Sequence, residues 1–325
     1  MGKASKFMPA VGTFGHKWYP EDLAGIIGQP VVGNVFYVDA TNGSNSSSGK
    51  TWANAFATLS AAHSAVTTHN YDVIIIAPNG TAGTAETATL DFSKSYVTVI
   101  GAGAPTNISQ RARVLFTTAD TSPQMTVSGN GNRFVNFQLA TFVDSNILLT
   151  VTGDRNYFGN VHFAGIGDST AGDDTAARCV YLNDGDENYF DGCMFGLDTI
   201  MRSAANYTVE MAGGVQRTTF NNCMFQMASD ATTPRHVLVT GTSGVDRWNR
   251  FDDCVWYNFT TNDSAQIAAA FDVSAQTATG HFLLTGSQQL IGIDNWESTA
   301  SGRLWISQAT ATANAVGQAI NPTVD

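Results

Sequence analysis

Along much of this chain apolar residues fall at every second position, in short runs that return in a fixed order. From Asn132 one phrase recurs: Asn132-Arg-Phe-Val-Asn-Phe-Gln-Leu139, Asn156-Tyr-Phe-Gly-Asn-Val-His-Phe163, Asn188-Tyr-Phe-Asp-Gly-Cys-Met-Phe195, Thr218-Thr-Phe-Asn-Asn-Cys-Met-Phe225 and Asn249-Arg-Phe-Asp-Asp-Cys-Val-Trp256. Gly280-His-Phe282 opens a decayed sixth copy. The phenylalanines at 134, 158, 190, 220, 251 and 282 are 24, 32, 30, 31 and 31 residues apart, the period of one supersecondary unit per repeat. Each copy follows a β-branched run, such as Leu148-Leu-Thr-Val151, Cys179-Val-Tyr-Leu182 or His236-Val-Leu-Val239, and a Gly, Asp or Asn turn lies between most runs and their phrase. One coil therefore reads as strand, turn, strand, corner, strand and loop. Period two and the abundance of Val, Thr, Phe, Asn and Gly exclude helical repeats.

Parity within the phrase locates the corner. Phe190 and Cys193 are three apart, so both face inward only if the chain bends between them. The bend falls at Asn136, Asn160, Gly192, Asn222 and Asp253, residues that tolerate left-handed backbone and hydrogen-bond along a stack. After the corner, Cys193, Cys223 and Cys254 share an inward column with Phe137 and Val161. One residue later the outward column holds Gln138, His162, Met194, Met224 and Val255. An apolar outward strip calls for cover, so His162, Met194, Met224 and Val255 are expected to form a subunit interface in a homotrimer.

Three segments follow from the pattern. Residues 1–33 form an irregular arm whose Phe14, Trp18 and Tyr19 are expected to contact a partner. Residues 34–295 form the repeat region, opened by a capping helix over about 52–67. Residues 296–325 form a C-terminal strand and tail.

The opening, FYVDATNGS, GKTWANAFATLSAA and YDVIIIAPNGT between residues 36 and 81, together with the five phrases, resembles pectate-lyase-like proteins. That group includes phage tailspikes and virion decoration proteins. The resemblance covers about residues 35 to 285 and implies an all-β right-handed parallel β-helix, a solenoid that hosts both enzymes and structural proteins.

Composition narrows the partners. With 43% hydrophobic and 13% charged residues the 325-residue chain can bury a large core. A net charge of -11 and no Lys/Arg-dense segment argue against nucleic acid, and no stretch approaches a membrane span. Met1–Gly12 lacks the apolar core of a signal peptide, so synthesis in a host cytoplasm and reduced thiols are expected.

Candidate chemistry is sparse. Gly43 to Thr51 imitates a phosphate loop but places five residues, not four, between its glycines. The six histidines form no metal-binding pair, and no cofactor is expected. Residues 160–200 are rich in carboxylates. Asp184, Asp186 and Glu187 recur at a turn of the repeat, whereas Asp168, Asp173 and Asp174 fall outside it and are the candidate catalytic carboxylates. Arg178 or Arg202 is the nearest basic proton acceptor. The resemblance and these features together lead to an expectation of a non-enzymatic phage structural protein: a trimeric capsid decoration or head spike on the virion surface, held to a capsid or tail protein by its arm. The alternative is a tailspike-type depolymerase or adhesin acting on host surface glycan.

Overall fold

The computed structural model describes residues 33–78, 84–261, 266–297, 299–307 and 319–320. Phe14, Trp18 and Tyr19 lie outside them. Among the described residues the strands form three sheets. Sheet I has eleven strands, and sheets II and III have eight each. All pairings between named strands are parallel except the last, where Ala319–Ile320 runs antiparallel to Leu304–Ser307 at the edge of sheet I.

Each coil visits sheets I, II and III in turn. The coil through Tyr157–Gly159 (I) and His162–Ala164 (II) continues to Arg178–Asn183 (III) before returning to Tyr189–Asp191 (I). Because successive coils stack in register, identical positions meet. Phe134, Phe158, Phe190, Phe220 and Phe251 form one column, with ring centroids 4.9, 4.7, 4.8 and 4.6 Å apart and planes within 10°. Phe163, Phe195, Phe225 and Trp256 form a second, at 5.0, 4.8 and 4.2 Å. Each such pair contributes about 0.5–1.5 kcal/mol beyond the area it buries.

The corner between sheets I and II is the left-handed one expected from parity: Asn136, Asn160, Gly192, Asn222 and Asp253 have φ of 60°, 48°, 59°, 50° and 50°. Asn160 Nδ2 donates to Asn136 Oδ1 at 3.0 Å. Cys193, Cys223 and Cys254 are buried free thiols, and their Sγ atoms lie 3.2, 3.5 and 3.6 Å from the carbonyl oxygens of Phe158, Phe190 and Phe220.

A second ladder lies between sheets III and I. The first residue of the phrase is a buried asparagine whose Oδ1 accepts from the backbone one coil back. Val97 N donates to Asn132, Asn132 N to Asn156 and Asn156 N to Asn188, at 2.9, 2.9 and 2.8 Å. Thr218 breaks the chemistry but still donates its N–H to Asn249 Oδ1 at 3.1 Å. The decayed copy also slips: Leu284, not Phe282, stands opposite Phe251, and Phe282 pairs with Asn249.

Helix α1, Leu59–Ala65, closes the first coils. Thr58 caps it by accepting from Ala61 N at 3.2 Å, and buried Glu86 accepts from Leu59 N at 2.6 Å and from the Ser60 hydroxyl. A carboxylate at a helix N-terminus meets free N–H groups and the positive end of the helix dipole. No described helix is long and apolar enough to cross a membrane.

Candidate functional site

The outer face of sheet III carries a cluster of arginine, tyrosine and carboxylate side chains. Its strands Arg178–Asn183, Tyr207–Ala212, Arg235–Val239 and Ile267–Asp272 point Val180, Leu182, Val209, Met211, Val237, Val239 and Phe271 into the core. Alternation turns Tyr181, Glu210, Leu238 and Asp272 outward, whereas Arg178, Tyr207 and Arg235 stand at strand starts where alternation breaks, since Cys179, Thr208 and His236 are buried along with Val180, Val209 and Val237. Register sets Arg178, Tyr207 and Arg235 in one column and Tyr181, Glu210, Leu238 and Asp272 in the next.

Within that face Arg178 is fixed from three sides. Its Nε donates to Glu210, its guanidinium lies 4.7 Å from the Tyr207 ring centroid, and NH1 donates to the carbonyls of Thr175 and Ala177 at 2.7 and 2.8 Å. The Thr240 hydroxyl donates to the other oxygen of Glu210. Burial raises the Tyr207 and Tyr181 hydroxyl pKa values, so both phenols stay neutral donors.

The expected site residues are placed otherwise. Asp168 caps the short helix α2, Ser169–Gly172, accepting from Thr170 N at 2.8 Å. Asp173 ends that helix and accepts from the Ser203 hydroxyl. Asp174 accepts from Ala176 N at 2.8 Å. All three are engaged in shaping the loop that leads into Arg178. Of the two candidate bases, Arg202 is buried in the interior, where NH1 donates to Thr208 Oγ1 at 3.1 Å and NH2 reaches Cys179 Sγ at 3.6 Å. Only Arg178 lies on an outer face. Among the described residues no group of three or more His, Cys, Asp or Glu could hold a metal ion.

The outward strip of sheet II is partly covered by the chain itself. His162 is fully buried: Nδ1 receives Ser109 N at 3.2 Å and Gln138 Nε2 at 2.9 Å, so Nε2–H donates to the Gly196 carbonyl at 2.9 Å. Met194 is buried, while Met224 and Val255 remain half-buried. Farther along the same face Tyr257 is half-buried, and Phe259 and Ile291 are exposed.

The sequence reading passed over Tyr181, Tyr207, Glu210, Arg235 and Asp272. The available signal was that Asp272 lies in the run before the phrase, beside Phe271, at a position that alternates away from the core, whereas Tyr207 shares the parity of Val209 and carried no such signal.

No family model and no curated protein matches the sequence. Among solved structures, pectate lyase Pel9A is similar over 90% of this chain and 82% of its own length, with 14% identity and a TM-score of 0.56. A pectin methylesterase from Aspergillus niger matches at 14% identity over 87% of this chain and 92% of its own, with a TM-score of 0.49. ORF18 of Geobacillus virus E2 matches at 13% identity over 88% of this chain and 62% of its own, with a TM-score of 0.45. The expectation that the chain is not an enzyme is corrected by the Pel9A likeness, because the shared fold is that of a polysaccharide-cleaving protein and gives no ground for denying activity. The chain has the pectate-lyase-like fold, a right-handed parallel β-helix closed at its first coils by a helix.

Proposed function

We propose that this chain is a β-helical component of a bacteriophage virion surface, a homotrimeric decoration protein or head spike, that engages host surface polysaccharide on the outer face of sheet III. The observation that carries the reading is the column of Arg178, Tyr207 and Arg235 beside Tyr181, Glu210 and Asp272. Tyrosine rings give a sugar an apolar platform, and guanidinium and carboxylate groups at their edges meet its hydroxyls. Glu210 and Asp272 stand two strands apart, about 9.6 Å at the usual strand spacing. Two carboxylates on one face are the groups that glycosidic cleavage uses, one to protonate the leaving oxygen and one to activate water or to attack, so cleavage is tested beside adhesion.

Incubation with capsule or lipopolysaccharide tests this directly. New reducing ends should appear with the native protein and vanish with Glu210→Gln and Asp272→Asn; neither product nor binding with any host glycan removes the reading. The half-buried Met224, Val255 and Tyr257, with exposed Ile291, supply an apolar strip for a second copy. A solution mass three times that of the chain, and its detection in purified particles, are the expected results for the assembly.

A further inference from the structure

The corner between sheets I and II takes two residues at 136–137, 160–161 and 192–193, but eleven, 102–112, in the coil that runs from Thr98–Gly101 to Arg113–Phe116. The longer segment crosses the outer side of sheet II and lands two coils on. Ser109 N donates to His162 Nδ1 at 3.2 Å and Gln110 Nε2 to the Asn160 carbonyl at 3.0 Å, past the strand that carries Gln138. Gln138 and His162 point away from the core, yet they are 1% and 0% exposed. The strap itself buries little: residues 104–109 are exposed, and only Gln110 and Ala112 at its end are buried. A segment held by polar contacts rather than by apolar burial opens at low cost.

His162 is the titratable group in that hold. Its Nε2–H donates to the Gly196 carbonyl at 2.9 Å, so an added proton goes to Nδ1, where Ser109 N and Gln138 Nε2 both donate. Once protonated, Nδ1 accepts from neither. Gln138 can adapt, because its Oε1 is buried without a hydrogen bond and comes to face the new N–H when the amide turns over. Ser109 N is a backbone donor and has no acceptor to offer in exchange. The charged groups acting on the ring are Arg113, against the proton, and Asp198, in its favour, while Arg111 on the strap acts on Arg113.

We propose that residues 102–112 are an acid-released strap: protonation of His162 at Nδ1 passes its hydrogen bond from Ser109 to Gln138 and frees the segment from the outer face of sheet II. Release bares the column of Gln138 and His162 on the face whose later coils carry Met224, Val255 and Tyr257, so acid enlarges the surface offered to a partner. The closed strap helps keep the ring dry, and burial holds its pKa at about 4, against 6.5 for a solvated imidazole. Closure is therefore complete above pH 6.5 and weakens as pH falls toward 4, by about a hundredfold in the opening equilibrium.

Hydrogen–deuterium exchange of the full chain, read by mass spectrometry and corrected for the intrinsic effect of pH, tests this. Protection of residues 103–112 should fall by about a hundredfold from pH 7 to pH 4, while near-ultraviolet circular dichroism still reports the stacked rings of a folded chain. His162→Gln, which takes no proton, should flatten the dependence. Gln138→Glu, which sets a carboxylate beside Nδ1, should move the midpoint of release up by about one pH unit, a shift that a merely structural contact would not produce. Protection that holds down to pH 4, loss of protection and ring signal together, or an unaltered pH dependence in His162→Gln overturns the inference. If His162→Gln does not fold, the Gln138→Glu midpoint decides, and one that stays or falls overturns it.

Discussion

The guanidinium of Arg178 lies 4.7 Å from the ring centroid of Tyr207 on the next coil, and its Nε is held by Glu210. The contact fixes the tyrosine ring at the centre of the sheet III face. Replacing Tyr207 with Ala removes the ring, while Glu210 and the Thr175 and Ala177 carbonyls still hold the Arg178 guanidinium. Binding of polysaccharide should weaken by about tenfold, the equivalent of about 1.4 kcal/mol, with the unfolding midpoint little changed. Isothermal titration alongside urea denaturation separates the two effects.

Phe190 has the opposite profile. It stacks on Phe158 and Phe220 and touches no outer face. Phe190→Ala should destabilise the chain by about 3–5 kcal/mol. Because coils are coupled only to their neighbours, limited proteolysis of the variant should cut first near residues 158 to 220.

Acid should weaken the fold through its buried histidines. Burial lowers the His63 and His162 pKa values to about 4, and pushes that of His236 well down. Each binds its proton more tightly when unfolded. The stability owed to keeping them neutral is complete above their ordinary pKa of 6.5 and is lost as pH falls from there to about 4. One group shifted this far costs about 3 kcal/mol. Glu86 has the reverse sign: burial raises its pKa, so protonation favours the fold and partly offsets the loss at the acid end. Unfolding free energy measured from pH 7 to 4 should fall, and His162→Gln should reduce the slope by about one proton.

The thiols should be silent. Burial raises the Cys254 pKa to about 12 and moves those of Cys179 and Cys223 in the same direction, and thiolate is the reactive form. A thiol-specific reagent should find no cysteine in the native protein and all four after denaturation.

How far the sequence could be read depended on whether a position repeats with its chemistry. Asn136, Asn160 and Asn222 announce their corner because few residue types accept φ near 50–60°. The phenylalanine and cysteine columns follow from parity. The ladder at Asn132, Asn156 and Asn188 was in plain view but carried no parity signal, and its pairing emerged only from the backbone. The slip at Phe282 arose where the phrase decays, since a lone Phe two residues from its column looks like a copy. The sheet III face was illegible for a different reason. Arg178, Tyr207 and Arg235 follow one another at about the repeat period, but a tyrosine stands between the two arginines and none belongs to the recurring phrase, so only strand register brings them together. Carboxylate density pointed instead to Asp168, Asp173 and Asp174, which serve a turn.

The unequal spacing of the repeats has a consequence for how such a molecule can change. From sheet II to sheet III the chain crosses from Ala140–Thr141 to Ile147 in one coil and from Ala164 to Arg178 in the next, yet the columns on either side remain in register. Between these two coils most of the extra length enters at the corner that leads into sheet III. Insertions there leave the phenylalanine and asparagine columns untouched. A lineage carrying this protein can therefore reshape that face by editing one seam while the inherited scaffold stays unaltered.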